Sequence, residues 1–296
     1  MSDLLIRRRN LLIRKQEEEM NIRAVCFRAD GEQTVSITKV GSAPAITMQY
    51  SYDGVTWDAW NLTPLPFGGS TKVYVRGVGN TAFGGYNKSN TFTFGTDSYV
   101  YVSGVLNSLL DGENEVATYN SNRTFISLFN SANALRDASG LIFENTQLSE
   151  ECYELMFYAC GNLLYAPELP STKLNFAPYR KMFQYCESLI KVPSILPATI
   201  LTDWCYNNMF DGCKNLVNAP ELPAETLADN CYWRMFNDCT NLKSLKCHAK
   251  VTANNATSDW LKGVKTEGTL YGHSEYGWSS GASGIPTTWT FEELTD

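Results

Sequence analysis

The residues that could do chemistry are few. The chain of 296 residues holds two histidines, His248 and His273, and nine cysteines. A nucleophile–base–orienter set needs a histidine within reach of a serine or a thiol. His248 directly follows Cys247, and neighbours on a strand point to opposite faces. His273 lies in the glycine-rich TLYGHSEYGWSSG, which reads as a loop. The carboxylate pair Glu292-Glu293 reads as helix surface in a terminal cap. Glu168 and Glu221 sit in copies of an APEL motif and could stack as a calcium ladder, but Ile195 stands in the copy between them. No GxSxG, HExxH, phosphate-binding loop or dinucleotide fingerprint occurs. No two cysteines have the C-x-x-C spacing of a zinc site. The expectation is therefore no enzyme, no cofactor and no metal.

Composition narrows the partners. Lys and Arg number 24 against 31 Asp and Glu, a net charge of −7, which argues against nucleic acid. Hydrophobic residues make up 44% and charged residues 19%, values of a folded protein rather than a disordered one. No run approaches the ~18 apolar residues of a membrane span. The opening MSDLLIRRRNLLIRKQEEEM has no apolar stretch of the ~7–15 residues that a secretory signal needs, so signal-dependent export is not expected.

The positioning element is a repeat. Met-Phe recurs at Met156-Phe157, Met182-Phe183, Met209-Phe210 and Met235-Phe236, at spacings of 26, 27 and 26, with a degenerate Leu128-Phe129 standing 28 residues before the first. Units of this length cannot bury an apolar face alone and must stack. Stacking predicts ladders of like residues: Phe129, Phe157, Phe183, Phe210 and Phe236; Leu135, Leu163, Leu189, Leu216 and Leu242; Cys160, Cys186, Cys213 and Cys239. The Tyr-x-x-Met-Phe portion reads as a short helix and Leu-x-x-Ala-Pro as a short strand. The cysteine columns tolerate Ala132 and Pro178, so they read as small buried apolar residues; a cross-layer disulfide is the sharper alternative. Tyr153, Trp204, Tyr206, Tyr232 and Trp233 fall near the helical portions. They form a candidate binding surface unless they pack between layers.

The units resemble the BspA-like leucine-rich repeat family, whose variant reads roughly LPATTLxxxCYxxMFxGCxxLxxAPELPA. Leu196 to Leu242 matches it as LPATILTDWCYNNMFDGCKNLVNAPELPAETLADNCYWRMFNDCTNL. The resemblance covers about 122–242, and the segments Trp260 to Val264 and Gly284 to Thr290 resemble the family's capping tail.

The front half has another rhythm. TVSITKV, AITMQYSY and KVYVRGV alternate apolar and polar residues, the mark of half-buried strands. Asp53-Gly54 marks a hairpin within SYDGVTW. MQYSYDGVTWDAW and VYVRG resemble a β-sandwich domain that precedes such repeats in proteins of gut Bacteroidetes and their phages. At the start, Leu4, Leu5, Leu11 and Leu12 recur at a spacing of seven, which predicts an amphipathic helix that must dock on something.

The expected fold is thus α+β. It comprises a helical anchor arm (1–20), an Ig-like β-sandwich (21–98), a junction (99–121), a leucine-rich-repeat solenoid of about five units with short parallel strands and short helices (122–247) and a cap (248–296). The resemblance implies a non-catalytic interaction or adhesion protein, a virion component of the tail- or head-fibre or receptor-binding type. Its implied partners are other virion proteins through the arm, further copies of itself (a trimer, from the habit of phage fibres), and a host-surface glycan or protein. A bacterial cell-surface leucine-rich-repeat adhesin or glycan-binding protein is the alternative.

Overall fold

The computed structural model describes residues 22–113, 121–250 and 252–294. The anchor residues Leu4, Leu5, Leu11 and Leu12, and with them the predicted helical arm, lie outside the described residues.

The front half is built from β1 (Val25–Ala29), β2 (Gln33–Val40), β3 (Met48–Ser51), β4 (Asp58–Trp60), β5 (Leu65–Phe67), β6 (Val73–Gly77), β7 (Gly84–Gly85), β8 (Lys88–Phe94) and β9 (Val100–Val105). Alternation decides which face is buried. In β1, Val25, Phe27 and Ala29 enter the core while Arg28 is exposed. One sheet runs β10-β9-β1-β6-β3-β4, where β10 is Leu135–Ile142, and a second runs β5-β2-β8-β7. Phe27 of the first meets Phe92 of the second edge-on at 5.1 Å. The predicted hairpin forms between β3 and β4 with Met48 opposite Trp60. Its longer loop is held by Asp53, whose Oδ1 accepts the Val55 and Thr56 N–H groups at 2.8 Å each. Those bonds hold the Asp53 carboxyl well below the usual range.

The two halves share a core. β10 continues the first sheet as a parallel neighbour of β9. The Phe92 N–H donates to Leu128 O and the Val100 N–H to Ala134 O, both at 2.8 Å. The Phe129 ring lies 5.4 Å from Phe92 on one side and 5.3 Å from Phe157 on the other. One cluster of buried residues runs from Val25 to Trp289. The change of rhythm between 98 and 122 is therefore a change of backbone pattern inside one packed body.

The α+β expectation is corrected here. Helix is confined to two short 3₁₀ turns, Leu106–Leu109 and Ser274–Tyr276, and no helix reaches seven residues among the described residues. The expected solenoid of short strands and short helices does not form. The Tyr-x-x-Met-Phe portions are runs of turns with a left-handed residue at every fourth position: Glu151, Leu155 and Ala159 have φ of 49°, 57° and 56°. N–H groups then alternate. Those of Glu154, Met156 and Tyr158 close turns on Glu151, Tyr153 and Leu155, whereas those of Tyr153, Leu155 and Phe157 donate to Pro178, Arg180 and Met182 in the next layer. The Leu-x-x-Ala-Pro portions make single parallel bridges, such as Asp137 to Tyr165 to Lys191, rather than strands. Spacing supplies the physical reason. Successive phenylalanine rings from Phe129 to Phe236 lie 5.3, 5.3, 5.6 and 5.6 Å apart and within 9° of parallel. Layers that close leave no room for helices about 10 Å across.

A second aromatic column runs beside the phenylalanines. Tyr153, Tyr179, Tyr206 and Tyr232 stack at 5.8, 5.7 and 6.1 Å, and Trp260 and Trp278 extend the column into the tail. There Trp260 Nε1 donates to Gly284 O at 2.9 Å, and the parallel strands β11 (Ser244–Lys246), β12 (Thr269–Gly272) and β13 (Thr290–Glu293) form the last sheet. The hydroxyls along the column differ. Tyr179 Oη donates to Ser171 Oγ at 3.0 Å, whereas the buried Tyr206 Oη has no hydrogen-bond partner among the described residues. Tyr206→Phe is thus expected to hold or raise stability, while Tyr179→Phe lowers it by about 1 kcal/mol. Urea midpoints of the two variants check this, and equal losses would contradict the difference in partners.

Candidate functional site

The chemistry-bearing residues meet partners that occupy them. His248 Nε2 lies 2.8 Å from Glu221 Oε1, and Lys246 Nζ lies 2.9 Å from the same oxygen. The hydrogen bond from Lys246, aided by His248, holds the Glu221 carboxyl below its ordinary range. His273 is buried 5.8 Å from His248, ring to ring, with Nδ1 4.0 Å from Glu293 Oε1. Glu292 and Glu293 belong to strand β13, not to a helix surface as expected. Cys247 points into the core, and burial pushes its thiol up to about 12. Glu221 bridges to Ile195 in the layer before it, so Glu168 and Glu221 are not brought together as a ladder. Among the described residues no group of three or more His, Cys, Asp and Glu side chains could hold a metal ion.

The cysteine column is structural. The eight cysteines from Cys152 to Cys247 are free, and all nine are buried. Cys160, Cys186, Cys213 and Cys239 each donate Sγ–H to the phenylalanine carbonyl of the layer before, Phe129, Phe157, Phe183 and Phe210, at 3.0, 3.0, 3.1 and 3.0 Å. Burial raises the Cys160 thiol to about 12 and the others in the same direction. Since the thiolate is the reactive form, a disulfide-exchange reagent at pH 8 is expected to label the column only at the rate of unfolding. Fast stoichiometric labelling of these four in the native protein would contradict that placement.

The leucines Leu135, Leu163, Leu189, Leu216 and Leu242 are fully buried beside this column. The proposed surface aromatics divide. Tyr153, Tyr206 and Tyr232 are each 1% exposed, members of the tyrosine column, and offer no surface. Only Trp204 and Trp233 are half-buried, packed edge to face at 5.6 Å on adjacent layers. The αL turns explain the split: the tyrosine side chains enter between layers while the flanking positions face outward.

A basic and aromatic face that the repeat pattern does not reveal lies on the outer side of the first sheet. Register places Gln49, Tyr74 with Arg76, Cys26 with Arg28, and Tyr101 with Ser103 on that face of β3, β6, β1 and β9. Arg28 lies 5.0 Å over the Tyr101 ring and Arg76 4.1 Å over the Trp57 ring. Arg76 Nε also donates to Gln49 Oε1 at 2.7 Å. A depression of about 510 Å³ opens here between Arg28, Lys72, Tyr74, Tyr101 and Asp137. The alternation that identifies the strands already carries this signal, because the residues between the core positions are aromatic and basic. Arginine and aromatic side chains that hold each other rigid are what protein contact surfaces are enriched in. Compared with protein-family models, curated proteins and solved structures, the chain matches none.

Proposed function

We propose that the protein is a non-catalytic recognition and assembly protein, a structural component of a phage particle of the tail- or head-fibre type. The observation that supports it best is the outer face of the first sheet, where Arg28 on Tyr101 and Arg76 on Trp57 form a preorganised contact surface on a body whose core is continuous. Binding to such a surface loses little side-chain freedom. The ionisable groups near the histidines are paired with each other rather than with a nucleophile, which fits binding better than turnover. The resemblance of the repeats to BspA-like adhesin units supports the same reading. In it, the arm bearing Leu4, Leu5, Leu11 and Leu12 joins the protein to other virion proteins and to its own copies, as a trimer. No helix among the described residues is long and apolar enough to cross a membrane.

The test is composition and assembly. Mass spectrometry of purified particles is expected to find the protein at a fixed stoichiometry. Deleting residues 1–20 is expected to reduce the light-scattering mass to that of one chain without changing the unfolding midpoint. Absence from particles would remove the virion reading and favour an adhesin on the bacterial surface. An unchanged mass after the deletion would remove the arm as the assembly element.

A further inference from the structure

A second depression, of about 680 Å³, lies where the two halves join. One wall is the loop after β8, residues 95–99, and the other is the edge of the first two turn layers, with Asn130, Asn133 and Asn162. Phe94 and Tyr99 supply its aromatic surface. The floor is fixed by the hydrogen bond from the Val100 N–H to Ala134 O, so the walls cannot separate without breaking the joint between the halves. Its volume falls in the range of about 300–1,000 Å³ usual for ligand pockets.

The polar groups are anchored at one end and open at the other. Asn133 accepts the Gly161 N–H on Oδ1 at 3.0 Å, which fixes its amide and leaves both Nδ2 donors without a partner among the described residues. Asn162 donates Nδ2 to Asn133 O at 2.9 Å, which leaves its Oδ1 as an acceptor. Asn130 accepts from Ser131 Oγ at 2.7 Å and keeps its Nδ2 donors. Asp97 takes one long bond from Thr96 Oγ1 at 3.3 Å and offers the rest of its carboxylate. Tyr99 is 43% exposed and lines the depression, with the Arg136 guanidinium 4.6 Å from its ring centroid.

We propose that this depression binds a neutral sugar unit of a glycan chain. Adjacent hydroxyls on a pyranose both donate and accept, and they match a set of short amides and a carboxylate that offer donors and acceptors in one cleft. The apolar face of the ring packs on Tyr99, as amphipathic aromatics permit. Asp97, together with Asp30 on the same wall, disfavours an acidic sugar. Asp30 itself is engaged by Tyr101 Oη at 2.6 Å, which ties the cleft to the outer face of the first sheet. The proposal rests on the recognition reading above and gives it a ligand class.

The experiment is saturation-transfer NMR and calorimetric titration of the full chain with neutral cello-, malto-, xylo- and N-acetylchito-oligosaccharides, with sialyllactose as the acidic comparison. At least one neutral probe is expected to bind, with Tyr99→Ala and Asp97→Ala each weakening it tenfold or more. Lys214→Ala, at an exposed position on a later layer, is expected to leave the affinity within twofold. Unfolding midpoints of the variants show that each is folded. Unchanged affinity in both cleft variants, or preference for sialyllactose, overturns the proposal. Binding to intact host cells without binding to any neutral probe also overturns it while leaving the recognition reading standing; loss of both removes the recognition reading as well.

Discussion

Phe210→Ala is expected to lower the free energy of unfolding by roughly 3–5 kcal/mol, the usual cost of deleting a buried phenyl ring. Phe210 is fully buried, with Phe183 and Phe236 each 5.6 Å away and within 5° of parallel. The cavity left by alanine cannot close by a shift of one side chain. Both neighbouring rings belong to layers whose spacing is set by backbone bonds, from Phe183 N–H to Met209 O and from Phe210 N–H to Met235 O, both 2.9 Å. The Cys239 Sγ–H bond to Phe210 O remains possible in the variant, so the loss measures packing alone. Tyr185→Ala is the comparison, because Tyr185 is 42% exposed and contacts Tyr158 edge to face. Its cost is expected to stay below about 1 kcal/mol, as for other surface truncations. Denaturant titration of both variants checks the pair. Similar losses would mean that Phe210 does not occupy the interior of the column.

The second large effect belongs to Arg180. Its Nη2 lies 2.6 Å from Glu154 Oε1 and 3.5 Å from Glu151 Oε1, and Arg123 pairs with Glu151 from the layer before. Glu151 and Glu154 are only 6% and 5% exposed. Arg180→Ala therefore strands a buried carboxylate, a loss of about 3–5 kcal/mol near neutral pH. Burial already raises the Glu154 pKa despite Arg180, and removing the guanidinium raises it further. A carboxyl whose pKa is higher folded than unfolded stabilises the fold when protonated and loses that advantage as pH climbs through the folded value. The deficit of Arg180→Ala is thus expected to be smaller at pH 5 than at pH 8. Adding Glu154→Gln should restore part of the loss at pH 8. A deficit independent of pH, with no recovery in the double variant, would show that Arg180 acts by packing rather than by charge.

The period of the repeat was legible because burial acts on side chains. Met-Phe every 26 to 28 residues marks the positions that must face one another, and the rings of Phe129 to Phe236 do share a column. The backbone between them was not legible in the same way. Tyr-x-x-Met-Phe-x-x-Cys has the i, i+3, i+4 spacing of a helix, yet the close approach of layers turns alternate N–H groups sideways and places Leu155, Lys181 and Asn208 in the left-handed region. A single repeat cannot carry that signal, because the competing acceptors belong to the next layer. The tyrosines failed as a surface for a related reason: Tyr153, Tyr206 and Tyr232 sit beside the cysteine column on the inner side of the turn. The outer face of the first sheet was half legible. VYVRG marks a strand, but only the register with β1 and β9 shows that Tyr74, Arg28 and Tyr101 share a face. The cleft at the joint was not legible at all, since Tyr99 and Asn133 come together only because β10 adds to the edge of β9.

Sandwich, turn layers and tail form one packed body presenting a fixed surface, with Phe129 as the joint between Phe27 and Phe92 on one side and Phe157 on the other. Scanning calorimetry of the full chain tests it most directly. A single transition whose calorimetric and van't Hoff enthalpies agree is expected. Two separable transitions, with Phe129→Ala lowering only one of them, would contradict it.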